Sequence, residues 1–245
     1  MKWELKTLED DVRRVHGDRY ADQIRGPLQG FERKSNIAYY HACESERVIK
    51  EALASTDRIN EDDPGCVSAA KAILLAASGD AAGSHILAAQ FKAEAHIIAS
   101  AQALHSLCDL ISCVVYWAFQ LDTAPSPPPL NKLNLHSVHR TLSALPQYST
   151  TAKLIDATIS SSEFKYLAAY VNTTKHKSLV SSSLSASFEA DNRSGMRIKE
   201  FSYTDRSGRT ATYDRKWSHD FLFPENDTLR LRLVGVGNSL NEYFT

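Results

Sequence analysis

The stretch SHILAAQFKAEAHIIASAQALHSLCDLISCVVYWAFQL, residues Ser84–Leu121, decides the fold class. It contains neither Pro nor Gly, is rich in Ala and Leu, and is apolar around most of its circumference. Such a helix is contacted on several sides, as is the central rod of a bundle. Ala103 to Leu121 also has about the length of a bilayer span. His105 and Asp109 lie inside it, and an ionised Asp there costs roughly 3 kcal/mol on insertion. The amphipathic pattern continues from upstream, so the reading is a buried helix.

Outward from this rod, the spacing predicts further helices. Leu5, Leu8, Val12 and Val15 recur every three or four residues and predict a helix from Trp3 to about Tyr20. Gly26-Pro27 and Gly30 predict a loop, followed by a helix from about Lys34 to Ser55. An acidic turn, Asn60 to Gly65, precedes a short helix from Val67 to Ala77, closed by Gly79-Asp80. After the rod, Thr123-Ala-Pro-Ser-Pro-Pro-Pro129 can neither continue a helix nor donate many backbone hydrogen bonds. Helices are then expected over Leu135–Leu145, Thr151–Ser160 and Ser162–Lys177.

Beyond Lys177 the period changes to two. Leu184, Ala186 and Phe188 alternate with polar residues, as do Met196 and Ile198, then Phe201 and Tyr203. Asp205-Arg-Ser-Gly208 is a turn, and Arg209 to Tyr213 resumes the strand pattern. A last helix is expected from about Asp227 to Tyr243, with Gly235 and Gly237 weakening its middle. The expected fold is mainly α: one helical domain, residues 1–245, bundled around a long central helix. A small antiparallel β-meander, within a basic segment spanning 172–223, is inserted before the last helix.

Composition narrows function. The 245 residues are 43% hydrophobic, enough for a sizeable core, and carry a formal net charge of −1. That balance removes the simplest argument for nucleic-acid binding, a strongly basic chain. Charge is uneven, however: residues 172–216 hold 9 Lys and Arg against 5 Asp and Glu. Cys43, Cys66, Cys108 and Cys113 form no CxxC pair, and no HExxH, Walker or GxSxG motif occurs, so no metal or cofactor is expected. The charged N-terminus lacks a signal-peptide pattern, which sets the expectation of reduced thiols and a cytoplasmic setting without membrane contact.

Two groups of polar residues resist a purely structural reading. Gln90 and Glu94, and His105 and Asp109, are pairs four apart on the rod. Eleven steps from Glu94 to His105 return within about 20° of the same direction, so Glu94, His105 and Asp109 form a seam. His96 points elsewhere. The seam is either a polar tie fixing helix register or a site in which Asp109 raises the basicity of His105. The second group is Asn172-Thr-Thr-Lys-His176. An amide, a cation and an imidazole at a helix end make a grip for an anionic oxygen such as phosphate. Capping of the helix dipole by the basic residues explains the same pattern.

A helical bundle with a polar residue and a His four to six apart on a late helix resembles the HEPN superfamily. The block Asn172-x-x-Lys175-His176 followed by strands is similar to its divergent prokaryotic branch, and the resemblance covers roughly residues 34–180 and the last helix. It implies a dimeric, metal-independent endoribonuclease or an RNA- or nucleotide-binding relative, of the kind found in toxin–antitoxin and phage-defence systems. By position, His176 is then the general acid/base. Asn172 stands where the family has Arg, so Lys175 must supply the positive charge, with His105, Asp109 and Glu94 in support. A different class remains open beside it: a non-enzymatic helical module that dimerises or docks a partner protein.

Overall fold

The structure is a computed structural model and describes residues 3–55, 65–189, 192–205 and 207–245. The expected acidic turn lies mostly outside them. Helices α1 (Leu5–His16), α2 (Asp18–Ala54), α3 (Gly65–Ala76), α4 (Ala81–Ala118), α5 (Leu135–Ser143), α6 (Ser149–Ile159) and α7 (Ser162–His176) precede the strands. The strands are β1 (Ser182–Ala186), β2 (Ser194–Ile198), β3 (Phe201–Thr204), β4 (Thr210–Tyr213) and β5 (Lys216–Trp217). A single turn, α8 (Ser218–Asp220), leads through a π-type turn into α9 (Asn226–Phe244). The mainly α architecture, long central helix and small antiparallel strand set before the last helix match the sequence pattern.

Two helix boundaries differ from the periodicity. The first helix stops at His16 because Gly17 takes a left-handed φ of 84°, which a residue with a side chain rarely adopts, and its amide closes on the Arg13 carbonyl at 2.9 Å. The loop expected at Gly26-Pro27 and Gly30 is instead helix, with Pro27 inside α2. Proline there costs about 3 kcal/mol. Ile24, Leu28 and Phe31, all buried on one stripe around it, each contribute roughly 1.5–3 kcal/mol. Burial therefore outweighs the proline. Gly26 presents no Cβ to the proline ring, and Gly30 lets α2 approach Leu110 closely.

Contacts group the chain into two compact units, and the division falls inside α2, α4 and α7. The first unit holds Met1–Ile37, Ala103–Leu167 and Asn226–Thr245. Its core is built from α1, α5, α6 and α9 with the adjoining parts of α2 and α4, and buries Leu8, Val12, Ile111, Leu142, Ile155 and Leu240. Thr151 and Ser239 pair their hydroxyls at 2.9 Å where α6 meets α9. Among the described residues, α4 is the one helix long and apolar enough to cross a membrane; 56% of its most apolar window is buried within the protein.

The second unit holds Ala38–Gln102 and Ala168–Glu225. Here β1, β2 and β5 form one antiparallel sheet, with Leu184 opposite Met196 and Arg197 opposite Trp217. The β3–β4 hairpin is a separate two-stranded sheet whose Phe201 and Tyr213 rings stack at 5.2 Å. The β-segment thus splits into two pieces rather than running as one ladder. Tyr170 of α7 packs on Phe201 of the hairpin and on Phe221 of the turn that leads into α9.

Candidate functional site

Helix α7 buries Phe164, Leu167 and Val171 and so turns its last residues outward. It ends where the amides of Lys177 and Ser178 both close on the Thr173 carbonyl, at 2.9 and 3.1 Å. Lys175 and His176 are exposed on this end, and among the described residues neither engages a hydrogen bond or ion pair. Asn172 is half-buried and donates from Nδ2 to the Ala168 carbonyl at 2.8 Å, one turn back on its own helix. One amide proton and Oδ1 are left for any other partner. Lys177 folds away, with Nζ on the Thr204 carbonyl at 3.2 Å and over the Tyr203 ring.

Three other cations of the basic segment are paired with carboxylates, whereas Lys199 and Arg215 are exposed. Arg193 binds Asp220 through two bonds of 2.9 and 2.6 Å, and Lys216 holds Glu225 at 2.6 Å. Arg209 pairs with Asp205, whose carboxyl is pulled down to about 2, chiefly by the Ser207 hydroxyl, with further amide and Arg209 contacts acting against burial. Arg193 and Arg197 both lie over the Trp217 ring, at 5.3 and 4.9 Å.

The expected seam on α4 does not act as one group. Glu94 accepts the Ser182 amide at 2.6 Å and Gln90 accepts that of Leu184 at 3.2 Å. The physical match is simple. Acceptors four apart on a helix and alternate amides of a strand both repeat at about 6 Å. Gln90 and Glu94 therefore cover the open edge of β1, which would otherwise present bare donors. His105 and Asp109 belong to the other unit. His105 Nδ1 lies 4.0 Å from Asp109 Oδ2, an ion-pair distance when the ring is protonated but too long for a hydrogen bond.

Two histidine pairs escaped the sequence reading. His41 of α2 and His96 of α4 bring their Nδ1 atoms to 2.8 Å. His219 Nδ1 makes a short contact to Glu46, beside a cavity of about 140 Å³ lined by Ile49, Leu184, Met196 and Trp217. Neither pair leaves a local signal, since the partners are 55 and 173 residues apart. Among the described residues no group of His, Cys, Asp and Glu suits a metal ion.

Burial drives the His41 pKa below its usual value, His96 adds to the shift, and Glu44 opposes it. His16 and His136 move the same way, mainly through burial. A depressed imidazole stabilises the fold fully above its unfolded value of 6.5, and that contribution is lost as pH falls through the lower folded value. The thermal midpoint should be flat from pH 8 to 7 and decline progressively below about 6.5. A melting series across that range checks it; a midpoint that rises on acidification contradicts the assignment of neutral rings.

Comparison of the chain with family models, with characterised proteins and with solved structures finds no match.

Proposed function

We propose that this is a HEPN-like helical protein that binds RNA or a nucleotide through the C-terminal end of α7 and cleaves RNA there without a metal. The carrying observation is the exposure of Lys175 and His176, side by side and unengaged among the described residues, within one turn of Asn172 at the end of α7. An ammonium and an imidazole supply charge stabilisation and one proton-transfer group. Lys175, with the remaining amide proton of Asn172, holds a phosphate oxygen. His176 takes the 2′-OH proton as that oxygen attacks phosphorus, or protonates the leaving 5′-oxygen. Since one imidazole does not serve both steps at once, a homodimer presenting two such ends completes the reaction. His105 and Asp109 are supporting residues in this reading. A toxin–antitoxin or phage-defence role rests on the family resemblance alone, and a cytoplasmic setting on the residue pattern of the first helix.

Removal of one phosphate contact tests the binding half. Lys175→Ala should weaken single-stranded RNA binding uniformly across sequences and reduce the slope of log affinity against log salt by about 0.7. Fluorescence anisotropy between 50 and 200 mM salt measures both. An unchanged slope would place the RNA elsewhere.

A second reading has its own support. Gln90 and Glu94 are spent on the β1 edge, so at least that half of the polar pattern on α4 is structural. This is what a non-enzymatic module for dimerisation or partner docking requires. In that case the His176→Ala variant changes neither RNA binding nor cleavage.

A further inference from the structure

The C-terminal half of α2 and the N-terminal half of α4 enclose a trough of about 370 Å³ in the second unit. That volume falls within the roughly 300–1,000 Å³ of small-molecule sites, whereas the cavity beside His219 falls below it. The apolar part of the trough is shallow and made of small residues, among them Ala52, Ala88 and Ala89. Its polar part comes from His85, Lys92 and His96 of α4 and from Arg47 and Glu51 of α2. Spacings of seven and four residues put His85, Lys92 and His96 on one helix face.

Of the α2 charges lining the trough, Arg47 and Glu51 offset each other, and Glu44 beside them adds one negative charge. Arg47 binds Glu44 at 2.6 to 3.1 Å and Glu51 at 2.6 Å through both oxygens, so both carboxylates are held by one guanidinium. That leaves donors. Lys92 and His85 are exposed and, among the described residues, give their protons to no partner. His96 is oriented by His41: a hydrogen bond between two Nδ1 atoms needs one proton, so one ring donates and the other accepts. The arrangement that serves an anion in the trough has His41 as the donor. His96 then accepts at Nδ1 and carries its own proton on Nε2, the nitrogen left for the trough.

We propose that this trough binds a phosphate monoester with a compact apolar body. Lys92, His85 and His96 Nε2–H take the phosphate oxygens, and the alanine floor takes the organic group. The assignment does not depend on the RNA reading of α7. It is tested by calorimetric titration of the full chain at 0.1 M chloride with phenyl phosphate, inorganic phosphate and phenol. Phenyl phosphate should bind the native chain and His176→Ala equally, at least three-fold more tightly than inorganic phosphate. Lys92→Glu and His96→Ala should each weaken it ten-fold or more. Lys92 is exposed on a helix surface, so Lys92→Glu, with an unchanged melt, keeps the test open should His96→Ala fold poorly. Absence of heat with both phosphates overturns the proposal, as does phenol binding as tightly as its phosphate ester. Full affinity in a folded Lys92→Glu chain overturns it as well.

Discussion

Replacing Gly237 with alanine should destabilise the protein by about 2 kcal/mol, although alanine is the better helix former. A Cβ at this position of α9 would lie 2.3 Å from two ring carbons of Trp3, far inside the 3.5–4.0 Å of carbon contacts. Trp3 has little room to yield. It is 6% exposed, donates from Nε1 to Asn241 at 2.9 Å and meets Phe31 edge-on at 5.2 Å. Overpacking costs about 1–3 kcal/mol, and expelling the indole approaches the 3–5 kcal/mol of losing a buried Trp. The helix-propensity gain of about 1 kcal/mol offsets part of this. Gly235, two residues earlier, is the control: a Cβ there meets nothing within 4 Å, so Gly235→Ala should stabilise by up to about 1 kcal/mol. Denaturant unfolding of both variants reads the contrast, and equal effects at the two positions contradict the packing described here.

Truncating Glu94 should be the second large effect. Glu94→Ala strips the half-buried Ser182 amide at the β1 edge of its acceptor, and a donor abandoned away from water costs about 1–3 kcal/mol. The bond is charge-assisted, which places it towards the upper end. Gln90→Ala, removing the longer, neutral bond to Leu184, should cost less. The double variant should cost less than the sum of the two, because the neighbouring amides are exposed together once β1 loosens. Glu94→Gln keeps an acceptor and should recover most of the loss. Amide exchange at Ser182 and Leu184 locates the effect: both should lose protection in Glu94→Ala while the α9 amides stay protected. Unchanged exchange at Ser182 would remove the edge-covering role.

These positions also mark what the sequence makes legible. The apolar circumference of α4 and the period-two pattern after Lys177 are local properties, so the rod and the small β-segment could be read directly. Gly17 and Pro27 depart from the local pattern in opposite directions. A positive φ at Gly17 ends α1 inside a pattern that otherwise looks continuous, while burial of Ile24, Leu28 and Phe31 carries α2 through a proline that alone would stop it. The polar pair Gln90 and Glu94 was visible as a pattern but not as an edge cover, because its partners lie 94 and 88 residues downstream. His41 and His96 fail for the same reason: only the packing of α2 on α4 brings the rings together. For the α7 end, spacing located Lys175 and His176, whereas their exposure and the inward bond of Asn172 needed the fold.

The proposed role of His176 is that of acid/base group in a metal-independent ribonuclease. The most direct measurement incubates the purified chain, beside His176→Ala, with a mixed pool of tRNA and mRNA in EDTA. Cleavage by the native chain is expected, with a rate lower by about 10²–10⁴ in the variant. Its thermal melt should be nearly unchanged, since His176 is exposed and unengaged among the described residues. Equal cleavage by both chains, or cleavage by neither, would contradict it.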